Sequence, residues 1–386
     1  AVQRFVAASG YVLLAEATSQ LRFGLDIAAR PRCIGAFDAL LRSPALRRRL
    51  RPQLALEIGA PAVSAQWLAW CSGDDAPARW VLPGERPADP AGGALGMVLG
   101  PVAALLDAAA AALETQPGPA AAAADATTYA AAWRAAEDAA WQARSQAVAL
   151  VSRHADGDTD ADADAHDDTG LLAGAAAHGA TAASLQEHEV APLLRAALPP
   201  GAVLAIGNSS PVRDLDHDLP PDAQALTLLH QRGAAGIDGG VAGAAGARSA
   251  LDAPMALLLG DVALLHDAGG LAAAATVRGP LAIVVVHNDG GRIFERLPLG
   301  RDISLAGACD RLFVVPHGHG FDGLAATWGL AFARVDTAAA LAQALARALA
   351  AERPILIEAR VAPGGSARRA GLLAAMAQAA DAAMGA

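Results

Sequence analysis

Ala256-Leu257-Leu258-Leu259-Gly260-Asp261 and Leu281-Ala282-Ile283-Val284-Val285-Val286-His287-Asn288-Asp289-Gly290-Gly291 decide the fold. Each is a short apolar run that stops abruptly at glycine and polar residues, the pattern of a strand buried on both faces. A βαβ connection between them makes the strands parallel neighbours and sets Asp261 beside Asn288 at their carboxyl ends, where open α/β sheets bind ligands. An Asp carboxylate, an Asn amide oxygen and the Gly290 carbonyl are hard oxygen donors. That set suits Mg²⁺, which completes its octahedron with phosphate oxygens and water. The pair points to a metal-bridged diphosphate.

The same punctuation recurs on both sides of this stretch. Apolar runs at Ala202–Ile206, Ala225–Leu229, Ala331–Val335 and Ile355–Val361 read as further strands, with helical sequence such as Ala338–Ala351 between them. Together they predict a doubly wound parallel sheet. Two more strand ends carry polar or glycine-rich turns. Gly207-Asn208-Ser209-Ser210-Pro211-Val212-Arg213 offers short hydrogen-bonding groups and an arginine fork that fits a carboxylate. Arg232-Gly233-Ala234-Ala235-Gly236-Ile237-Asp238-Gly239-Gly240 has the glycines of a close backbone approach, but no G-x-G-x-x-G opens a helix there.

Residues 1–115 read as a smaller α/β unit, with strands at Val12–Ala15, Leu54–Ile58 and Trp80–Leu82. The stretch Leu95–Leu113 closes it and Gln116-Pro117-Gly118-Pro119 breaks the chain. A helical segment follows, in which Trp133 and Trp141 return to nearly the same face and read as core. The tract Asp156–Asp168 holds seven Asp but lacks the glycine and glutamate of a calcium loop, so it is expected to be a solvated loop. The expected divisions are 1–120, 121–184 and 185–386.

Composition narrows the classes. All 29 basic residues are arginine, which excludes lysine Schiff-base and P-loop chemistry within the chain. A net charge of −10 argues against a nucleic-acid surface. Cys33, Cys71 and Cys309 form no disulfide framework, in keeping with a reducing, cytoplasmic setting. No apolar run is long enough for a membrane span. There is no G-x-S-x-G and no H-E-x-x-H, and His317-Gly318-His319 is expected to be a plain loop.

Gly260-Asp261 followed by Asn288 resembles the diphosphate-binding motif of the thiamine-diphosphate enzymes. Gly207-Asn208-Ser209, Arg232 through Gly239, and Gly290-Gly291-Arg292-Ile293-Phe294 through Leu297-Pro298 sharpen the likeness. They resemble the 2-succinyl-5-enolpyruvyl-6-hydroxy-3-cyclohexene-1-carboxylate (SEPHCHC) synthases of menaquinone biosynthesis. The resemblance implies two doubly wound three-layer αβα domains, the central domain and the diphosphate-binding domain. It also implies thiamine diphosphate with Mg²⁺ or Mn²⁺, and decarboxylation of 2-oxoglutarate followed by conjugate addition to isochorismate.

By position, Asp261, Asn288 and the Gly290 carbonyl would hold the metal. Asn208, Ser209, Ala235, Gly236, Ile237, Gly260 and Ile293 would line the cofactor, with Ile237 supporting its bent form. Arg213, Arg232, Asn208 and Leu297 would meet substrate, the arginines pairing with its carboxylates.

Some positions depart from the pattern. Ala65 and Gln66 stand where the family usually has a basic residue, and Ala235 and Ala263 where it often has a hydroxyl. Each lost donor is worth about 0.5–1.5 kcal/mol net. No catalytic residue is identified. The family's activating glutamate belongs to a pyrimidine-binding domain, which is expected to be absent from these residues, and Glu16 and Glu57 are not substitutes. The chain alone would then be inactive, working as a homo-oligomer or with a pyrimidine-domain chain. The metal motif by itself also fits an acetolactate synthase-like enzyme or another 2-oxoacid decarboxylase. The missing glutamate also fits a degenerate or regulatory subunit.

Overall fold

The computed structural model describes residues 1–26, 30–116, 120–155 and 184–385. The acidic tract Asp156–Asp168 and residues 117–119 lie outside them. Two compact units form, one from Ala1–Ala147, Pro220–Gln224 and Leu373–Ala386, the other from Val148–Leu219 and Ala225–Leu372.

In the first unit, β1 (Leu13–Leu14) and β2 (Cys33–Ile34) make a two-stranded parallel sheet. A separate parallel sheet holds β3 (Ala55–Ile58), β4 (Arg79–Gly84) and β5 (Gly96–Leu99), in that order. The strand expected at Val12–Ala15 thus pairs outside the main sheet. The strand Gly96–Leu99 was hidden within an apolar stretch that reads as one closing segment. Its glycine is needed by the fold: a Cβ at Gly96 would stand 2.5 Å from the Trp80 ring. Trp133, fully buried, and Trp141 join the core around Ile34, Phe37, Leu46 and Trp70. The helix Ala120–Ala155 also carries Glu137, fully buried. Its carboxylate accepts the N–H groups of Gly35 and Ala36 and the Trp141 indole N–H at 2.8–2.9 Å.

The second unit is built on one six-stranded sheet, all parallel. Its strands are β6 (Val203–Ile206), β7 (Thr227–His230), β8 (Met255–Gly260), β9 (Leu281–His287), β10 (Ala331–Val335) and β11 (Ile355–Arg360). Their spatial order is β10-β11-β9-β8-β6-β7. The runs at β8 and β9 are buried throughout except Gly260, as their unbroken apolar sequence requires. They pair directly, with Gly260 opposite Val286, so Asp261 and Asn288 leave the sheet side by side. The chain turns one way after β6, toward β7, and the other way after β8, toward β9. That reversal is a topological switch point, where such sheets open a crevice at the strands' carboxyl ends. All three cysteines are free and buried. Among the described residues, no helix is long and apolar enough to cross a membrane.

Candidate functional site

The crevice predicted by the strand order is present. A cavity of ≈ 180 Å³ lies at the ends of β6, β7 and β8, lined by Gly207, Asn208, Gly236, Ile237, Leu259 and Ala263 among others. Three of the residues expected to meet the cofactor, Asn208, Gly236 and Ile237, therefore share one wall. The backbone is crowded at Gly207, where a Cβ would sit 3.2 Å from the Leu259 Cα. At Gly233, Gly240 and Gly260 a Cβ would meet nothing within 4 Å. The backbone there is open to a bound group.

Asn208 is buried and uses both ends of its amide. Its Nδ2 donates to the Gly236 carbonyl at 2.5 Å, and its Oδ1 accepts from Arg232 Nη1 at 3.1 Å. The turns after β6 and β7 are thereby tied together. Ser209 and Ala235 have positive φ, 69° and 54°, which few non-glycine residues adopt and which marks built turns. Arg213 donates to the Ser209 carbonyl at 2.7 Å. Burial lowers its pKa, and the nearby charges of Arg232 and Arg296 lower it further. Arg213 thus lies among like charges, partly offset by Asp214 and Asp216. Arg296 was not foreseen from the sequence, because nothing local to Glu295-Arg296-Leu297 distinguishes it from surface charge. Ile293 is half-buried in a short 3₁₀ turn, Arg292–Arg296, whereas Leu297 is 46% exposed.

The metal-binding residues expected from the sequence begin where β8 ends. Asp261 is 2% exposed. Its Oδ1 accepts the Val262 N–H at 2.7 Å and its Oδ2 the Gly290 N–H at 3.0 Å. The structure therefore joins Asp261 to the Gly290 turn directly. Gly290 has φ +123°, and a Cβ there would stand 2.4 Å from the Val314 carbonyl oxygen, so this turn admits only glycine. The Asn288 carbonyl accepts from Arg292 Nε at 2.8 Å.

The sequence reading gave no part to four further groups here. Asp289, at φ 59°, accepts the N–H groups of His317 and Gly318. Burial alone would raise its pKa, but those two hydrogen bonds hold it below the usual aspartate range. His317 lies in a loop, as expected, yet its Nε2 is 3.3 Å from Asp261 Oδ2. His287 Nδ1 is 2.9 Å from Glu358 Oε1. Burial pushes Glu358 up, but the Arg360 and His287 side chains, the Phe321 N–H and Arg334 outweigh it and keep the carboxyl low.

Behind the arginine cluster runs a buried ionic network. Arg369 donates to both carboxylate oxygens of Asp218 at 2.9–3.0 Å and lies 3.1 Å from Asp214. Arg296 is 3.5 Å from Asp214 and 3.6 Å from Glu187. Three carboxylates thus share two guanidinium groups. Burial, aided by Glu187 and Asp218 and opposed by Arg369 and Arg296, pushes Asp214 from the ordinary 3.8 up to about 7. A carboxyl that binds its proton more tightly when folded stabilises the fold fully below about pH 4. That contribution is lost as pH rises through 7. Urea midpoints at pH 5 and pH 8 should therefore differ more in the parent chain than in Asp214→Asn. Equal differences would show that Asp214 does not hold the proton.

Residues 218–359 match the family described as "Thiamine pyrophosphate enzyme, C-terminal TPP binding domain". The chain is 40% identical over 368 residues to the SEPHCHC synthase of Sorangium cellulosum, covering 94% of this chain and 54% of that protein. It is 33% identical to the same-named enzymes of Myxococcus xanthus and Salinibacter ruber, over 90% and 93% of its length and 52% and 53% of theirs. It spans about half the length of the curated relatives it matches. Among solved structures, a thiamine diphosphate-dependent 4-hydroxybenzoylformate decarboxylase from Rhodococcus jostii RHA1 aligns with a TM-score of 0.53 at 18% identity. That alignment covers 94% of this chain and 58% of the other. It supports the α/β architecture. Residues 218–359 are thus similar to the C-terminal domain of thiamine pyrophosphate enzymes, and the chain as a whole is similar to about half of the SEPHCHC synthases.

Proposed function

We propose that this chain supplies the diphosphate-binding half of a SEPHCHC synthase active site. In this reading it takes part in the decarboxylation of 2-oxoglutarate and the transfer of the remaining four-carbon unit to isochorismate. The observation that carries the reading is the buried Asp261 carboxylate, hydrogen-bonded to Gly290 beside a switch-point cavity. The donors fit a hard divalent cation. Asp261, the Asn288 amide oxygen and the Gly290 carbonyl would hold Mg²⁺ or Mn²⁺, and the open glycines would admit the diphosphate. When bound, thiamine diphosphate supplies the nucleophilic carbon and the electron sink for decarboxylation. Ile237, half-buried against the sheet core, would support it from beneath.

The protein's own part is to bind and orient. Both proposed substrates are dianions, and Arg213 and Arg232 would supply the positive charge that meets them, with Arg296 engaged by Asp214 and Glu187. Arg213→Gln and Arg232→Gln should each weaken binding of 2-oxoglutarate or isochorismate about 10- to 100-fold. That range follows from losing one charge-assisted hydrogen bond worth about 1.5–3 kcal/mol. Unchanged affinity in both variants would place the substrate elsewhere. The pyrimidine-binding half, with its activating carboxylate, would complete the site, which makes this a transferase shared between domains or subunits.

The test of the reading is calorimetric titration with thiamine diphosphate. It is run in Mg²⁺ and in EDTA, with the chain alone and with a pyrimidine-binding domain added. Metal-dependent binding is expected. Its absence in every arrangement would overturn the proposal.

A further inference from the structure

The Asp261 carboxylate is faced by a histidine from a distant loop. His317 is 9% exposed, and its Nε2 lies 3.3 Å from Asp261 Oδ2. Among the described residues that nitrogen completes no hydrogen bond. Its other ring nitrogen, Nδ1, accepts the N–H of His319 at 3.0 Å and lies 3.6 Å from Asp289 Oδ1, beyond hydrogen-bond distance. A neutral imidazole has one N–H, and a nitrogen that accepts cannot carry it. In the neutral ring the proton then belongs on Nε2, the nitrogen on the Asp261 side.

The ring is held where it is by several contacts. Asp289 accepts the backbone N–H groups of His317 at 3.0 Å and Gly318 at 2.8 Å. The imidazole stacks on that of His287, with centroids 5.3 Å apart and planes at 20°. His287 is itself anchored through Nδ1 to the buried Glu358.

We propose that His317 is a positioning residue for Asp261. Its Nε2–H, 3.3 Å away, would reach the same Oδ2 that accepts the Gly290 N–H and so favour the orientation that presents the carboxylate to a cation. The inference rests on reading Asp261 as a ligand of the diphosphate-bound metal. Groups that orient a metal ligand from behind commonly change metal affinity about 10- to 100-fold when removed. The ligating atoms of Asp261, His287 and His317 also lie within 4.8 Å of one another. Direct coordination by His317 Nε2 would, however, need the proton on Nδ1, where the His319 N–H already points.

Two variants separate the roles of the two ring nitrogens. His317→Asn keeps an acceptor near the Nδ1 position and loses the Nε2 donor, whereas His317→Gln restores an N–H near the Nε2 position. In the cofactor-free chain, hydrogen exchange at the Gly290 amide reports how firmly Asp261 is held. It is expected to be about 10-fold faster in His317→Asn and near parental in His317→Gln. The Mg²⁺ concentration for half-maximal thiamine diphosphate binding should shift in the same order and by a similar factor. Imidazole ¹⁵N spectra of the parent chain should show the Nε2–H form of His317.

An Nδ1–H form, parental behaviour in both variants, or equal impairment in both would each overturn the proposal. A parent chain that fails to bind thiamine diphosphate would sink the functional reading instead. The exchange rates and the tautomer would still decide the role of His317.

Discussion

Replacing Asp261 with alanine is expected to abolish Mg²⁺-dependent thiamine diphosphate binding, with an affinity loss of at least about 100-fold, or roughly 3 kcal/mol. Two effects combine. The variant removes the one carboxylate among the three proposed metal ligands, and a hard cation bound to diphosphate depends on that charge. It also removes the acceptor for the Gly290 N–H. Gly290 sits at φ +123° against the Val314 carbonyl, a conformation that needs its partners. Asp261→Asn separates the charge from the Gly290 contact, because the amide oxygen can keep the Gly290 N–H while the charge and the acceptor for the Val262 N–H are lost. It should keep the parental urea midpoint within about 1 kcal/mol and still lose most of the metal-dependent affinity. If Asp261→Asn binds the cofactor with the parental Mg²⁺ dependence, the metal lies elsewhere.

The largest stability effect is expected at Arg369. Its guanidinium is 3% exposed, forks across Asp218 and reaches Asp214. Removing one partner of a buried pair leaves the other charge uncompensated, at a cost of about 3–5 kcal/mol. Arg369→Met should therefore lower unfolding free energy by about that amount in urea. Arg369→Lys should fall between the two, since an ammonium keeps the charge but not the fork. Adding Asp218→Asn to Arg369→Met should recover much of the loss, because the stranded charge is then gone. A loss below about 1 kcal/mol in Arg369→Met would mean that water already reaches the pair. The consequence extends to the site, since Asp214 and Asp218 lie on the helix Ser210–Asp218 that carries Arg213.

Residues whose roles are local to one strand end were legible before any coordinates. The motifs at Gly260-Asp261 and Asn288 fall on adjacent parallel strands, because unbroken apolar runs of this length have few other places to go. The glycines at 207, 236 and 290 stand where turns crowd the backbone. Contacts between turns were not legible. Arg296 meets Asp214 across 82 positions of sequence, and Arg369 meets Asp218 across 151. No periodicity encodes such pairings.

The sequence by itself determined that this chain makes a parallel sheet with oxygen donors and arginines at its carboxyl edge. Burial of apolar runs and the chemistry of single residues are local properties, written wherever the residues stand. Tertiary structure alone decided how those residues act together. It set Asp289 to cap the His317 loop, and it brought His317 to face Asp261. It tied Asn208 to Arg232, and it buried Asp214 beside Glu187 and Asp218, so that burial raises its pKa against the pull of Arg369 and Arg296. Each of these depends on distance and desolvation, which exist only once distant segments pack.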